Sequence, residues 1–363
     1  MAERVAPQRL YVCCDGGAET EPDRLVVVEA GPESGAAVYR LPLSYPADGV
    51  HRAARIGPRR LLLLGARSSR LYVIATDDPA RPEIVRVVEP ELLARRCGLS
   101  GPHGAVVLPD GNVVVSLVAD RRGGPRGGFA VLERGDFDLL GRWDEKDAGL
   151  CPGALLAAPG DRDLVAGSWA APGVDGVPAV CAWDTGDRRP AGVWPLEGAR
   201  GPVALVDGLA AASGGVWAWT RQEGGGLALT SAHPDLAGSA DPPELAAGPG
   251  RLGWLAADGG LYGPLLRLEG SEEGPVQRSP GRLRLPGGGP CRLAASSDGR
   301  WLYATAAGHP AWDRAGQGQW LWAVEIGVPA QDGESERDPR LRWRCAPGTG
   351  PDQVARDVLV LDG

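Results

Sequence analysis

Four histidines, His51, His103, His233 and His309, are the side chains in this chain best suited to chemistry. Neutral imidazole is a nitrogen ligand for first-row metals, and it titrates near neutrality. His233 sits in Ser231-Ala232-His233-Pro234-Asp235, after a strand end, and reads as part of a surface turn. The seven cysteines are odd in number, and Cys13-Cys14 is their only adjacent pair. No C-x-x-C occurs, so the thiols read as small buried hydrophobes of a reducing compartment, with no structural disulfide. The sequence offers neither H-E-x-x-H nor a Ser/His/Asp spacing, and zinc protease and serine hydrolase readings have no support. Gly123-Gly124-Pro125-Arg126-Gly127-Gly128 is glycine-rich but opens no helix, so it is not a phosphate loop. Trp169, Trp312 and Asp313 are candidates to line a substrate pocket, against the commoner role of tryptophan in packing.

Composition narrows the partners. The formal net charge is −8 and the arginines fall in scattered pairs, so no basic face for nucleic acid is expected. Lys146 is the one lysine and Asn112 the one asparagine, a bias that suggests GC-rich codons and weakens functional readings of single arginines. No apolar run approaches the roughly 20 residues that cross a bilayer, and residues 1–7 carry no apolar leader. These features predict a cytoplasmic protein without a membrane partner.

The elements that must position the histidines are short strands. Apolar runs alternate with turns drawn from 55 Gly and 33 Pro, and only Glu89–Arg96 shows a helical pattern. Strand pairs recur, as in Leu61–Leu64 with Leu71–Ile74 and Val113–Ser116 with Phe129–Leu132. Their starts, near residues 9, 61, 106, 163, 208, 251 and 300, are separated by roughly 43–57 residues, the period of propeller blades. The expectation is an all-β fold, a seven-bladed β-propeller in one domain spanning residues 1–363. The terminal Asp357–Leu361 strand has no following partner and is expected to close the ring in the first blade.

Several segments resemble the 56-kDa selenium-binding protein family, which includes copper-dependent methanethiol oxidases. They are Ser68-Ser69-Arg70-Leu71-Tyr72-Val73-Ile74, Val88-Glu89-Pro90-Glu91, Pro102-His103, Trp169-Ala170-Ala171-Pro172, Ser297-Asp298-Gly299-Arg300-Trp301-Leu302-Tyr303 and Ala311-Trp312-Asp313. Departures from the family pattern are concentrated at its histidines. Where the family carries adjacent histidines, the chain has His51-Arg52, and the cysteine loop that follows is deleted. The family's H-x-x-H-C is His103-Gly104-Ala105-Val106-Val107, and its A-H-E is Val354-Ala355-Arg356.

Two functions follow from the resemblance. One is a copper-dependent oxidoreductase acting on a small thiol or other sulfur-containing substrate with oxygen. Its copper would be held by His51, His103 and His309, with Trp169, Trp312 and Asp313 at the pocket. The other is a non-catalytic propeller that lost the family site and serves as a binding or interaction module, with a small molecule or a protein as partner.

Overall fold

The computed structural model describes residues 8–16, 20–124, 126–143, 151–156, 164–169, 179–195, 205–212, 215–221, 227–233, 252–256, 265–271, 274–283, 285, 292–296, 300–305, 320–326, 340–348 and 354–361. They form seven antiparallel sheets of three or four strands. The first contains β1 (Gln8–Asp15), β2 (Pro22–Ala30) and β3 (Gly35–Pro46). The second runs through β4 (Val50–Gly57), β5 (Arg60–Gly65), β6 (Leu71–Ala75) and β7 (Glu83–Val88). After α1 (Pro90–Cys97) come β8 (Leu99–Val107), β9 (Val113–Asp120), β10 (Gly128–Leu132) and β11 (Leu139–Arg142). The next sheets hold β12 (Cys151–Leu156), β13 (Leu164–Trp169), β14 (Ala179–Asp184) and β15 (Arg189–Pro195), then β16 (Leu205–Ala212), β17 (Gly215–Arg221) and β18 (Leu227–His233). β19 (Leu252–Ala256), β20 (Leu265–Ser271) and β21 (Gly274–Leu283) follow. The last sheet comprises β22 (Arg292–Ala295), β23 (Trp301–Thr305), β24 (Leu321–Glu325) and β25 (Arg340–Cys345). The C-terminal strand β26 (Val354–Leu361) pairs with β1 in the order β26-β1-β2-β3.

Middle strands read as continuous apolar runs because both of their faces are covered. In β5, Leu62 and Leu64 pack with Val113, Val115 and Leu117 of β9, whereas Leu61 and Leu63 pack with Tyr11, Leu25 and Val27 of the first sheet. A period of two along one strand thus fills two separate cores, one against each neighbouring sheet. Between the first and last sheets, Leu10, Val12 and Val26 meet Tyr303, Leu321 and Trp343. The Trp343 indole N–H donates to the Gly31 carbonyl at 2.8 Å, satisfying the polar end of a buried ring. Trp143 and Trp183 both stand edge-on to Phe129, with centroids 5.6 and 4.7 Å away.

The expected helix over 89–96 forms one residue later, as α1, with Pro90 starting it and Gly98 closing it at φ 71°. No helix among the described residues is long and apolar enough to cross a membrane. The strand pairs marked by the sequence are the middle strands of the first three sheets. At residues 208 and 251 the apolar run belongs instead to the first strand of a three-stranded sheet.

Each sheet has one strand at the end of its order that touches its counterparts in neighbouring sheets. Thus β22 contacts β26, β26 contacts β4, β4 contacts β8, and β8 contacts β12. These inner strands carry the candidate site.

Candidate functional site

Three consecutive inner strands break their ladders at the candidate site, and β4 skips a further residue at Ile56. In β4, Val50 pairs with Gly65 and Arg52 with Leu64, leaving His51 as the extra residue. In β8, Pro102 pairs with Leu117 and Gly104 with Ser116, leaving His103. In β26, Ala355 pairs with Cys14 and Asp357 with Cys13, leaving Arg356. The β16 ladder skips Asp207 in the same way. A bulge bends the strand and re-aims its extra side chain, at the expense of a ladder hydrogen bond.

Buried carboxylates take up the freed backbone groups around His51. The Asp23 side chain is fully buried, and its oxygens accept from Val50 N–H at 2.6 Å and Gly16 N–H at 2.9 Å. Burial pushes the Asp23 carboxyl upward, and these two N–H donors pull against that shift. Beyond the histidine, Ala53 N–H donates to Asp357 on β26 at 2.9 Å, tying two inner strands together. The turn before β4 is held by Asp48, which accepts from the Arg70 guanidinium at 2.7 Å and from the Tyr72 hydroxyl. Gly49 lies there at φ 64°, and a Cβ would fall 2.7 Å from the Arg67 side chain. Ser69, itself at φ 65°, accepts from Gly101 N–H at 2.9 Å and so fixes β8 two residues before His103. The Ser68-Ser69-Arg70 segment therefore positions both histidine strands.

The two imidazoles meet, with ring centroids 5.3 Å apart and planes tilted by 52°. His51 Nδ1 lies 3.2 Å from the Leu64 carbonyl. A carbonyl only accepts, so Nδ1 carries the hydrogen and Nε2 presents a lone pair. That Nε2 is buried and has no hydrogen-bond partner among the described residues. Burial, reinforced by the charges of Arg52, Arg292 and Arg356, depresses the His51 pKa to about 3 against the pull of the Leu64 bond. The imidazole is neutral at any physiological pH.

Guanidinium groups stand among these carboxylates. Arg356 and Arg67 both bond Asp15 Oδ2 at 2.9 Å. Asp357, raised by its burial, is held down by Arg292 and Arg52. Arg52, Arg292 and Arg356 come from β4, β22 and β26, three inner strands in contact.

Of the residues expected from sequence, His51 and His103 come together. His309, Trp312 and Asp313 lie outside the described residues, while Trp169 ends β13 opposite Cys151. His233 is not in a turn: it is the last residue of β18, paired with Val216. Among the described residues, no group of three His, Cys, Asp or Glu side chains could hold a metal ion. Cys13, Cys14, Cys97, Cys181 and Cys345 are free, and burial raises Cys14 and Cys181 to about 12. Arg292 carried no sequence signal, because β22 reads as Arg-Leu-Ala-Ala in no recognisable motif.

Residues 3–176 match the family model for the 56kDa selenium binding protein. Selenium-binding protein 2 of Arabidopsis thaliana is 31% identical over 173 residues, 43% of this chain and 36% of that protein. The methanethiol oxidase of Bos taurus is 31% identical over 170 residues, 42% of this chain and 36% of the oxidase. The alignments therefore span little more than a third of these relatives. A hypothetical selenium-binding protein from Sulfolobus tokodaii shares the fold at TM-score 0.68 and 18% identity, covering 98% of this chain and 94% of that one. A putative 6-phosphogluconolactonase from Bacteroides fragilis covers 100% of both chains at TM-score 0.55 and 12% identity, a likeness of fold alone. The N-terminal part of the chain, residues 3–176, is thus similar to the 56kDa selenium binding protein family.

Proposed function

We propose that this chain is a small-molecule-binding propeller of the selenium-binding-protein type whose axial site has exchanged metal ligation for a cationic lining. The reading takes the seven sheets as seven blades of one ring over residues 1–363, with β26 completing the blade of β1. The observation that carries it is the charge around the His51–His103 pair. Where the family resemblance expects a second histidine and a glutamate, the chain has Arg52 and Arg356, and both charges reach the His51 ring.

Part of the donor set suits copper. A neutral His51, with its tautomer fixed by a carbonyl and its Nε2 bare, is what an imidazole ligand requires. The charge does not suit it. The charges of Arg52, Arg292 and Arg356 that hold the His51 pKa down act equally against a cation at its Nε2, and among the described residues no third ligand joins the two imidazoles.

The copper-dependent oxidation of a small thiol remains the second reading, favoured by the 5.3 Å approach of the two rings and dependent on His309 as a third ligand. Metal quantification after expression in copper-supplemented medium separates the two. The binding reading expects well under one equivalent of copper and no thiol oxidation. One equivalent with oxygen uptake on a small thiol overturns it.

A further inference from the structure

Backbone N–H groups along a strand point alternately to its two edges, so residues three apart normally face opposite ones. Val50 and Ala53 of β4 depart from this together. The Val50 N–H donates to Asp23 at 2.6 Å and the Ala53 N–H to Asp357 at 2.9 Å, both side-chain acceptors outside the β4–β5 ladder. Both are turned away from β5 because one extra residue, His51, lies between them. The two carboxylates therefore match β4 only when its bulge falls between Val50 and Ala53. They reach it from the first sheet, Asp23 on β2 and Asp357 on β26. Asp357 is buried, and its other oxygen accepts from Val358 N–H at 3.0 Å. A second link joins the same two strands, from the Arg55 guanidinium to the Val360 carbonyl at 3.0 Å.

The place of the bulge decides where the imidazole points, because a one-residue slip carries a side chain to the opposite face of its sheet. Where it stands, His51 Nδ1 lies 3.2 Å from the Leu64 carbonyl, which fixes the ring hydrogen on Nδ1, and the ring meets that of His103. We propose that Asp357 is a positioning residue of the axial site: by accepting from Ala53 N–H it holds the β4 bulge at His51, so that the tautomer of that ring depends on β26 being docked. It acts through the backbone of β4. This role is independent of what the site holds, so copper uptake would overturn the binding reading and leave Asp357 in place.

Nitrogen NMR of the copper-free full chain, isotope-labelled in its histidine rings, reads the tautomer directly at pH 7. The wild type is expected to show a neutral ring with its hydrogen on Nδ1, identified as His51 by its loss in His51→Gln. Asp357→Ala should replace that signal with a mixture of the two tautomers. Asp357→Asn should restore it, since the carboxamide oxygen can still accept from Ala53 N–H. Val358→Ala thins the core between the first and last sheets and leaves both carboxylate bonds to β4 in place. It should lower the melting temperature without moving the His51 signal. Should Asp357→Ala not fold, Asp357→Glu, which shifts the acceptor by one methylene, is read in its place with the same expectation. A His51 signal unchanged in that variant, or lost equally in Val358→Ala, overturns the positioning role. A ring that stays mixed in Asp357→Asn overturns the hydrogen bond to Ala53 as its cause.

Discussion

Strand β5 places four consecutive leucines in the sheet, whereas its neighbour β4 places a histidine and two arginines in eight residues. The two lie side by side and answer to different constraints. β5 is covered on both faces, so each of its side chains is fixed by shape and apolar area. β4 ends its sheet's order, its ladder is broken at His51, and Asp23, Asp48 and Asp357 pin it alongside the packing of Val50 and Ile56. Polar pins are directional and hold a bulge that dispersion contacts would not. An inner strand can therefore change its axial residues without disturbing the apolar cores. Arg52 and Arg356 illustrate this, standing at positions where the resemblance expects histidine and glutamate.

The largest effect expected from this contrast is at the strand that belongs to both classes. β26 pairs with β1 from Arg9 to Asp15, and it places Ala355 and Val358 in the core that joins the first and last sheets. Deleting residues 354–361 should abolish cooperative unfolding as followed by thermal melts, because it exposes the β1 edge and opens that core. A truncated chain that melts like the full one would break the proposed ring. Next, Leu62→Ala leaves a cavity in a fully buried middle-strand position. It should lower stability by about 3 kcal/mol in urea unfolding. Asp23→Ala tests the polar region in the same assay. It removes the acceptor for Val50 and Gly16 N–H. Stability should fall by about 2 kcal/mol, because two buried donors beside the His51 bulge are left without that acceptor.

The middle strands were legible in sequence because burial on both faces writes itself as an apolar run, as in Leu61–Leu64 or Val113–Val115. The inner strands were not. β8 contains Gly101, Pro102 and Gly104, and β22 is only four residues long, so neither period nor propensity marks them. His51 and His103 were found through family-like strings, and their meeting depends on β4 touching β8. Arg52 and Arg356 looked like lost ligands in sequence; only the contact of β22, β26 and β4 gives them a common place with Arg292. Charge convergence from distant strands has no local signature. His233 was misplaced into a turn because its Ser-Ala-His-Pro-Asp setting carries turn residues on one side only, and β18 extends to include it.

The smallest expected effect is on pH dependence. His51 is neutral in the folded chain with a pKa near 3, and would take a proton near the ordinary imidazole value of about 6.5 when unfolded. A depressed folded pKa contributes stability that is present above pH 6.5 and lost progressively as pH falls toward about 3. Asp23 and Asp357 are shifted upward and act in the opposite direction, so the comparison is made against His51→Gln, which keeps both. Between pH 7.5 and 5.5 the wild-type chain should lose about 1 kcal/mol more than the variant. Equal losses would show that His51 is not held neutral by its surroundings.

Arginine on the inner strands, more than the number of histidines, is expected to decide what the site holds. Copper(II) titration of the wild-type chain and of Arg52→His at pH 7 tests it most directly, because the substitution removes one guanidinium and restores the adjacent histidine pair. No saturable copper binding at micromolar concentration is expected in the wild type, and affinity about a hundredfold higher in Arg52→His, a gain within reach of one removed charge and one added imidazole. A wild-type chain that takes up one copper, or a variant that binds it no more tightly than the wild type, would overturn that expectation.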